Sequence, residues 1–263
     1  MVAHSDPFVA MQDSLRPRLP MWVKIVIALC CAIQVLTMGA DLLGYPIVQQ
    51  ALVIFGGFWS PVVWAGHGIF PGHVLTIFVT YGFLHAGLLH LGMNMLSLVA
   101  LARELNRLIG PARMALVYAL SQVAAALLFA VMTPDGGPMI GASGAIFGLA
   151  GALVGFAAVT GWRRRRPLGQ LWRGVAVMVV LNVALTVLMP SIAWEAHLGG
   201  ALAGLLMGGW MAMSRSPADF QASDGGASGA GPSACPSDAA SRRRAWRKGS
   251  AGASARRAAL SFG

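Results

Sequence analysis

Long apolar blocks broken by short charged clusters set the rhythm of this chain. The blocks fall at about 22–43, 81–103, 112–133, 141–160, 170–189 and 194–213. Each comes near the ~20 residues that an α-helix needs to cross a bilayer. The pattern therefore predicts an all-α polytopic membrane protein, a bundle of six transmembrane helices. The connection 44–80 is too long and too apolar for a bare loop. With Trp59, Trp64 and several glycines and prolines, it predicts an outer loop of short interfacial helices, its indoles at headgroup level. Residues 1–21 read as a cytoplasmic leader, and 22–213 as one membrane domain. Residues 214–263 are rich in Ser, Ala, Gly and Arg. That composition predicts a disordered basic cytoplasmic tail, since it buries too little to offset ordering entropy.

Two of the apolar blocks carry glycine at helical spacing. Gly141, Gly144, Gly148, Gly151 and Gly155 step by three and four, and Gly200, Gly204 and Gly208 by four. Glycine costs roughly 1 kcal/mol against alanine in a helix interior. In lipid that cost is offset when small residues on one face let two helix backbones approach closely. Spans four and six are thus expected to pack along these stripes. Ser143 stands at the head of the first and His197 at the head of the second. A serine or a histidine alone in a membrane helix is more often a packing or helix-pairing contact. Here both lie near the outer end of closely packed helices, where they form a nucleophile–base pair. Span two adds His90 and Asn94 on one helical face, with His85 one and a half turns earlier. Such side chains are costly in a membrane and mark function. They are of the types that stabilise an oxyanion.

Composition changes the picture at three points. Apolar residues make up 57% of the 263 residues and charged ones 11%, far from a soluble balance. The net charge of +10 could suggest a nucleic-acid partner. However, Lys and Arg cluster at 16–24, 103–113, 163–173 and from 215 onward, and none lies in 44–80, 134–140 or 190–193. That is the positive-inside distribution, with both termini cytoplasmic and no nucleic acid needed to explain it. Cys30, Cys31 and Cys235 are not spaced as a disulfide framework. No HExxH occurs and carboxylates are scarce in the spans, which speaks against a metal site and an ion-coupled transporter. No cofactor is implied. The Ala/Arg/Gly-rich composition points to a bacterial source, hence an inner membrane. Oligomeric state is not legible.

HAGLLHLGMN, GASG and AHLGG, in that order on spans two, four and six, resemble the motifs of the rhomboid family of intramembrane serine proteases. The resemblance covers about residues 70–212. It implies that Ser143 is the nucleophile and His197 the general base. His90, Asn94 and the Ser143 backbone N–H would hold the oxyanion, and Gly141 would border that pocket. His85 would lie nearer the water path and the substrate mouth, and Phe147 would pack on the His197 ring. The implied activity is endopeptidase cleavage of transmembrane protein substrates near their outer end, with the lipid bilayer as surroundings. DGGPMIGASG would enter span four as flexible, non-helical backbone lining a wet cavity open to the outside. Where such proteins often carry a Trp-Arg pair in the first outer loop, this chain has Thr76 and Ile77. A non-catalytic helix-binding relative and a small-solute transporter lined by His85, His90, His197 and Asn94 are the alternatives.

Overall fold

The computed structural model describes residues 19–165 and 193–215, with 169, 172, 173 and 176 between them. Pro20, its φ fixed near the helical value, caps the first helix, α1, Met21–Leu42. Gly44 closes it at φ +84, with the Gly44 N–H donating to the Asp41 carbonyl at 3.0 Å and the Tyr45 N–H to that of Ala40 at 2.8 Å. This is the pairing in which a left-handed glycine satisfies a helix's last carbonyls. The long connection then folds into α2 (Ile47–Gly56), α3 (Ser60–Ala65) and α4 (His73–Thr80), followed by a 3-10 turn at Tyr81–Phe83. Short helices were expected there. The Trp59 and Trp64 indole N–H groups donate to the carbonyls of Val53 (3.4 Å) and Ala130 (3.0 Å).

Helix α5 covers Leu88–Ile109 and α6 Pro111–Met132, joined by Gly110 at φ +82 with Pro111 at the first helical position. Helix α7 is Ser143–Arg163 and α8 is Trp194–Met213. With α1 they make five helices, among the described residues, long and apolar enough to span a membrane. The fifth predicted span, 170–189, apart from residues 172, 173 and 176, the leader up to residue 18 and the tail from 216 fall outside the described residues. Span two runs on to Ile109 rather than ending at 103, and two predicted starts move inward. Span two begins at Leu88 rather than 81, because Leu84 is extended and Gly87 adopts φ +146, which ends any helix arriving from Tyr81. Span four begins at Ser143 rather than 141, because Gly141 takes φ +128.

Helices α7 and α8 pack in parallel through their glycines. A Cβ on Gly200 would overlap the carbonyl oxygen of Gly144, one on Gly204 that of Gly148, and one on Gly208 that of Ala152. In return, Gly151 faces the Ala201 carbonyl and Gly155 that of Leu205. The Cα–H groups thus point at carbonyl oxygens across the interface, a weak contact that recurs at close helix crossings. Gly141 is not part of this stripe, since it precedes the helix. Around the pair, Leu98, Leu105, Met114 and Leu149 form a fully buried core. Leu29, Val35, Leu96 and Leu206 are exposed on the outer faces of the bundle, as lipid-facing side chains are. A second cluster gathers on Phe58, whose ring meets Phe78, Tyr81 and Phe129 edge-on at 5.1, 5.8 and 6.2 Å. Ile77, at one of the positions where the Trp-Arg pair is absent, is fully buried in that cluster.

Candidate active site

The segment leading into α7 is non-helical, as expected, but it is not loose. Phe58 and Met139 exchange both backbone hydrogen bonds at 2.9 Å. The Ser60 N–H donates to the Gly136 carbonyl at 2.9 Å, and the Gly141 N–H to the Tyr81 carbonyl at 2.9 Å. Buried backbone polar groups need such partners. The result is a fixed approach to Ser143.

Ser143 is the first residue of α7, where backbone N–H groups have no intrahelical acceptor and the helix dipole is positive. No side chain caps this end. The His197 Nε2 lies 2.8 Å from the Ser143 Oγ. With the imidazole proton on Nδ1, the hydroxyl donates to Nε2 and the ring is ready to accept its proton. Phe147, one turn beyond the serine, stacks on the buried His197 ring with centroids 4.3 Å apart and planes 12° from parallel. Glu195 does not turn toward this pair. Its Oε1 accepts from the Thr133 hydroxyl at 3.3 Å, linking the start of α8 to the end of α6.

On α5, Asn94 is buried and its amide donates to the His90 carbonyl at 2.9 Å, one turn back on its own helix. The His90 Nδ1 accepts from the Ala86 N–H at 3.3 Å. The other edge of the ring faces Gly141. A Cβ built there would stand 2.9 Å from His90 Cε1, 3.0 Å from Nε2 and 3.8 Å from the Ser143 Oγ. With no side chain on Gly141, the space between the imidazole and the hydroxyl stays open. His85 is not on α5 but in the loop before it. Its ring is buried and meets His90 edge-on at 5.1 Å. Both its nitrogens lack a hydrogen-bond partner, unusual for a buried imidazole.

Sequence reasoning thus named Ser143, His197, His90, Asn94, Gly141, Phe147 and His85, and all stand near the first turns of α5, α7 and α8. It missed Tyr81, whose carbonyl anchors Gly141 and whose hydroxyl donates to the Gln122 carbonyl at 2.7 Å. It also missed the Ala86–Gly87 turn. A glycine just ahead of a helix was the only available signal for that turn, and nothing marked the Tyr81 carbonyl. Among the described residues, no three or more His, Cys, Asp or Glu side chains gather as a metal-binding group.

Known proteins resemble this chain in sequence. The family model described as "Rhomboid domain" matches residues 72–214. RHOMBOID-like protein 5 of Arabidopsis thaliana is 33% identical over 126 residues, 48% of this chain and 40% of that protein. Rhomboid protease GluP of Bacillus subtilis (strain 168) is 31% identical over 121 residues, 46% of this chain but 23% of that protein. The chain therefore spans less than half the length of these two. Putative rhomboid protease YdcA, also of Bacillus subtilis (strain 168), is 32% identical over 181 residues, 62% of this chain and 87% of that protein. With the family's domain spread over the helices that carry serine, histidines and asparagine, this multi-pass membrane chain belongs to the rhomboid family of intramembrane serine proteases.

Proposed function

We propose that the protein is an active intramembrane serine endopeptidase, with Ser143 as nucleophile and His197 as general base. The 2.8 Å contact between the Ser143 Oγ and the His197 Nε2, on two helices brought together by glycine, carries this reading. As Oγ attacks a peptide carbonyl, a bond forms from Oγ to carbon and the hydroxyl proton passes to Nε2. The carbonyl oxygen becomes an oxyanion and occupies the hollow above Gly141. His90 Nε2 and the Ser143 backbone N–H stabilise it, with the second amide proton of Asn94 available beside them. Collapse breaks the C–N bond, and His197 gives its proton to the leaving amine. Water, activated by the same imidazole, then releases the acyl group and restores Ser143. The dipole at the start of α7 favours the negative charge throughout.

The substrate is a transmembrane protein cut near the outer end of its span, within reach of a half-buried Ser143 at the floor of a depression open to water. A helical peptide bond is shielded, so the substrate must unwind, which a glycine or proline near the cut makes easier. A small residue before the scissile bond suits the closed space around Gly141. The distribution of Lys and Arg supports cytoplasmic termini, and the Ala/Arg/Gly-rich composition supports a bacterial inner membrane.

Fluorophosphonate labelling and cleavage of a reference transmembrane substrate test this reading. Wild-type protein labels and cleaves, and folded Ser143→Ala and His197→Ala variants do neither. Cleavage retained in Ser143→Ala, or a folded wild type that neither labels nor cleaves, overturns it.

A further inference from the structure

The tautomer of His90 is set by the turn in front of its helix. Gly87 caps α5, its carbonyl accepting the first helical bond from the Leu91 N–H at 3.0 Å. Its dihedrals, φ +146 and ψ 176, belong to a region that only glycine occupies at low cost. That conformation sets the direction in which the chain enters α5, and the Ala86 N–H, in the peptide one unit further back, donates to His90, the third residue of α5. In the familiar capping box, a Glu or Gln at this third position accepts from the cap residue's N–H. Here an imidazole does so, one residue further back. A neutral imidazole has one donor and one acceptor nitrogen. Since Nδ1 accepts from Ala86, the ring proton belongs on Nε2, the edge that faces the hollow above Gly141.

We infer that Gly87 and the Ala86 N–H are positioning residues that hold His90 as the neutral Nε2–H tautomer, so that its proton is aimed at the oxyanion. The role of His90 as an oxyanion donor rests on the reading above; its tautomer does not. The same turn disfavours the imidazolium, because Nδ1–H would confront the Ala86 N–H. A Cβ at residue 87 would have open space around it, with nothing within 4 Å. A substitution there therefore acts through backbone handedness, not through a clash. L-alanine is strained at φ +146. D-alanine is not, since the mirror image of these dihedrals is ordinary extended backbone.

The test is nitrogen-15 NMR of the full chain labelled at its six histidines, with His90 identified by difference from a His90→Asn variant. The expected spectrum has His90 Nδ1 unprotonated and Nε2 protonated in wild type. A protonated Nδ1 overturns the proposal whether or not the enzyme cleaves. Cleavage kinetics give a second arm. Gly87→Ala is expected to lower kcat about 100-fold, the loss typical of one oxyanion donor, with KM little changed. D-alanine placed at the same position by semisynthesis is expected to restore it. Wild-type kcat and an unmoved His90 spectrum in Gly87→Ala refute the inference, as does failure of a folded D-alanine protein to recover. An inactive wild type with the Nε2–H tautomer sinks the protease reading and leaves this one standing.

Discussion

At the scale of single residues, the site depends on what is missing as much as on what is present. Gly141 contributes no atom to chemistry, yet a Cβ there would reach within 3.0 Å of the His90 ring edge and fill the space beside Ser143. Its φ of +128 adds backbone strain for any other residue. Gly141→Ala is therefore expected to lower kcat by about 100-fold or more, as loss of an oxyanion donor does. Cleavage kinetics on protein with an unchanged circular-dichroism spectrum check this, and wild-type turnover would show that the hollow is not used. His197 presents the complementary case. Phe147 lies flat on its ring and fixes its plane, while the Ser143 hydroxyl holds one edge. Glu195, two residues away, is engaged with Thr133 instead.

At the scale of elements, the deciding contact is the crossing of α7 and α8. The hydrophobic effect does not drive helices together inside lipid, so close backbone packing has to. Each glycine of the α8 stripe sits against a carbonyl oxygen of α7, and a carbonyl fixed in a helix cannot turn aside. Gly204→Val is expected to destabilise the folded protein by about 1–3 kcal/mol or more, the usual cost of overpacking. Gly92→Val is the control, because a Cβ on exposed Gly92 of α5 meets nothing within 4 Å. Thermal unfolding of both variants in detergent compares them, and equal melting temperatures would contradict the packing argument. The outer loop is the second decisive element. Met139 is buried in the Phe58 cluster and paired with its backbone, which ties the path into Ser143 to an aromatic core.

At the scale of the whole molecule, charge and direction agree. Helices α7 and α8 run parallel, which requires an odd number of membrane crossings between them. The sequence supplies one apolar block there, 170–189. The positive-inside rule predicts that Arg103–Arg113 and Arg163–Arg173 are cytoplasmic and that the 44–80 connection and the site face outward. In a background without the native cysteines, exposed His67→Cys is expected to react with a membrane-impermeant maleimide in intact cells, and exposed Arg107→Cys only after lysis. The reverse pattern would invert the topology and place the chemistry on the cytoplasmic side.

Much of this was legible without coordinates, because bilayers impose simple rules. Span length, the separation of Lys and Arg from the intervening segments and glycine at helical steps are one-dimensional signals, and they determined the five described helices and the α7–α8 pairing and predict an orientation. The motifs around Ser143, His197, His90 and Asn94 named the side chains of the candidate site for the same reason, since polar groups are conspicuous in an apolar helix. Only the tertiary structure decided where helices stop at Gly87 and Gly141, that His85 belongs to a loop, and that Gly141 shapes a hollow rather than a helix contact. It alone revealed the Tyr81 carbonyl holding Gly141 and the Ala86 N–H holding His90. Those are backbone groups, which every residue but proline carries alike. No sequence distinguishes one N–H from another until dihedral angles aim it.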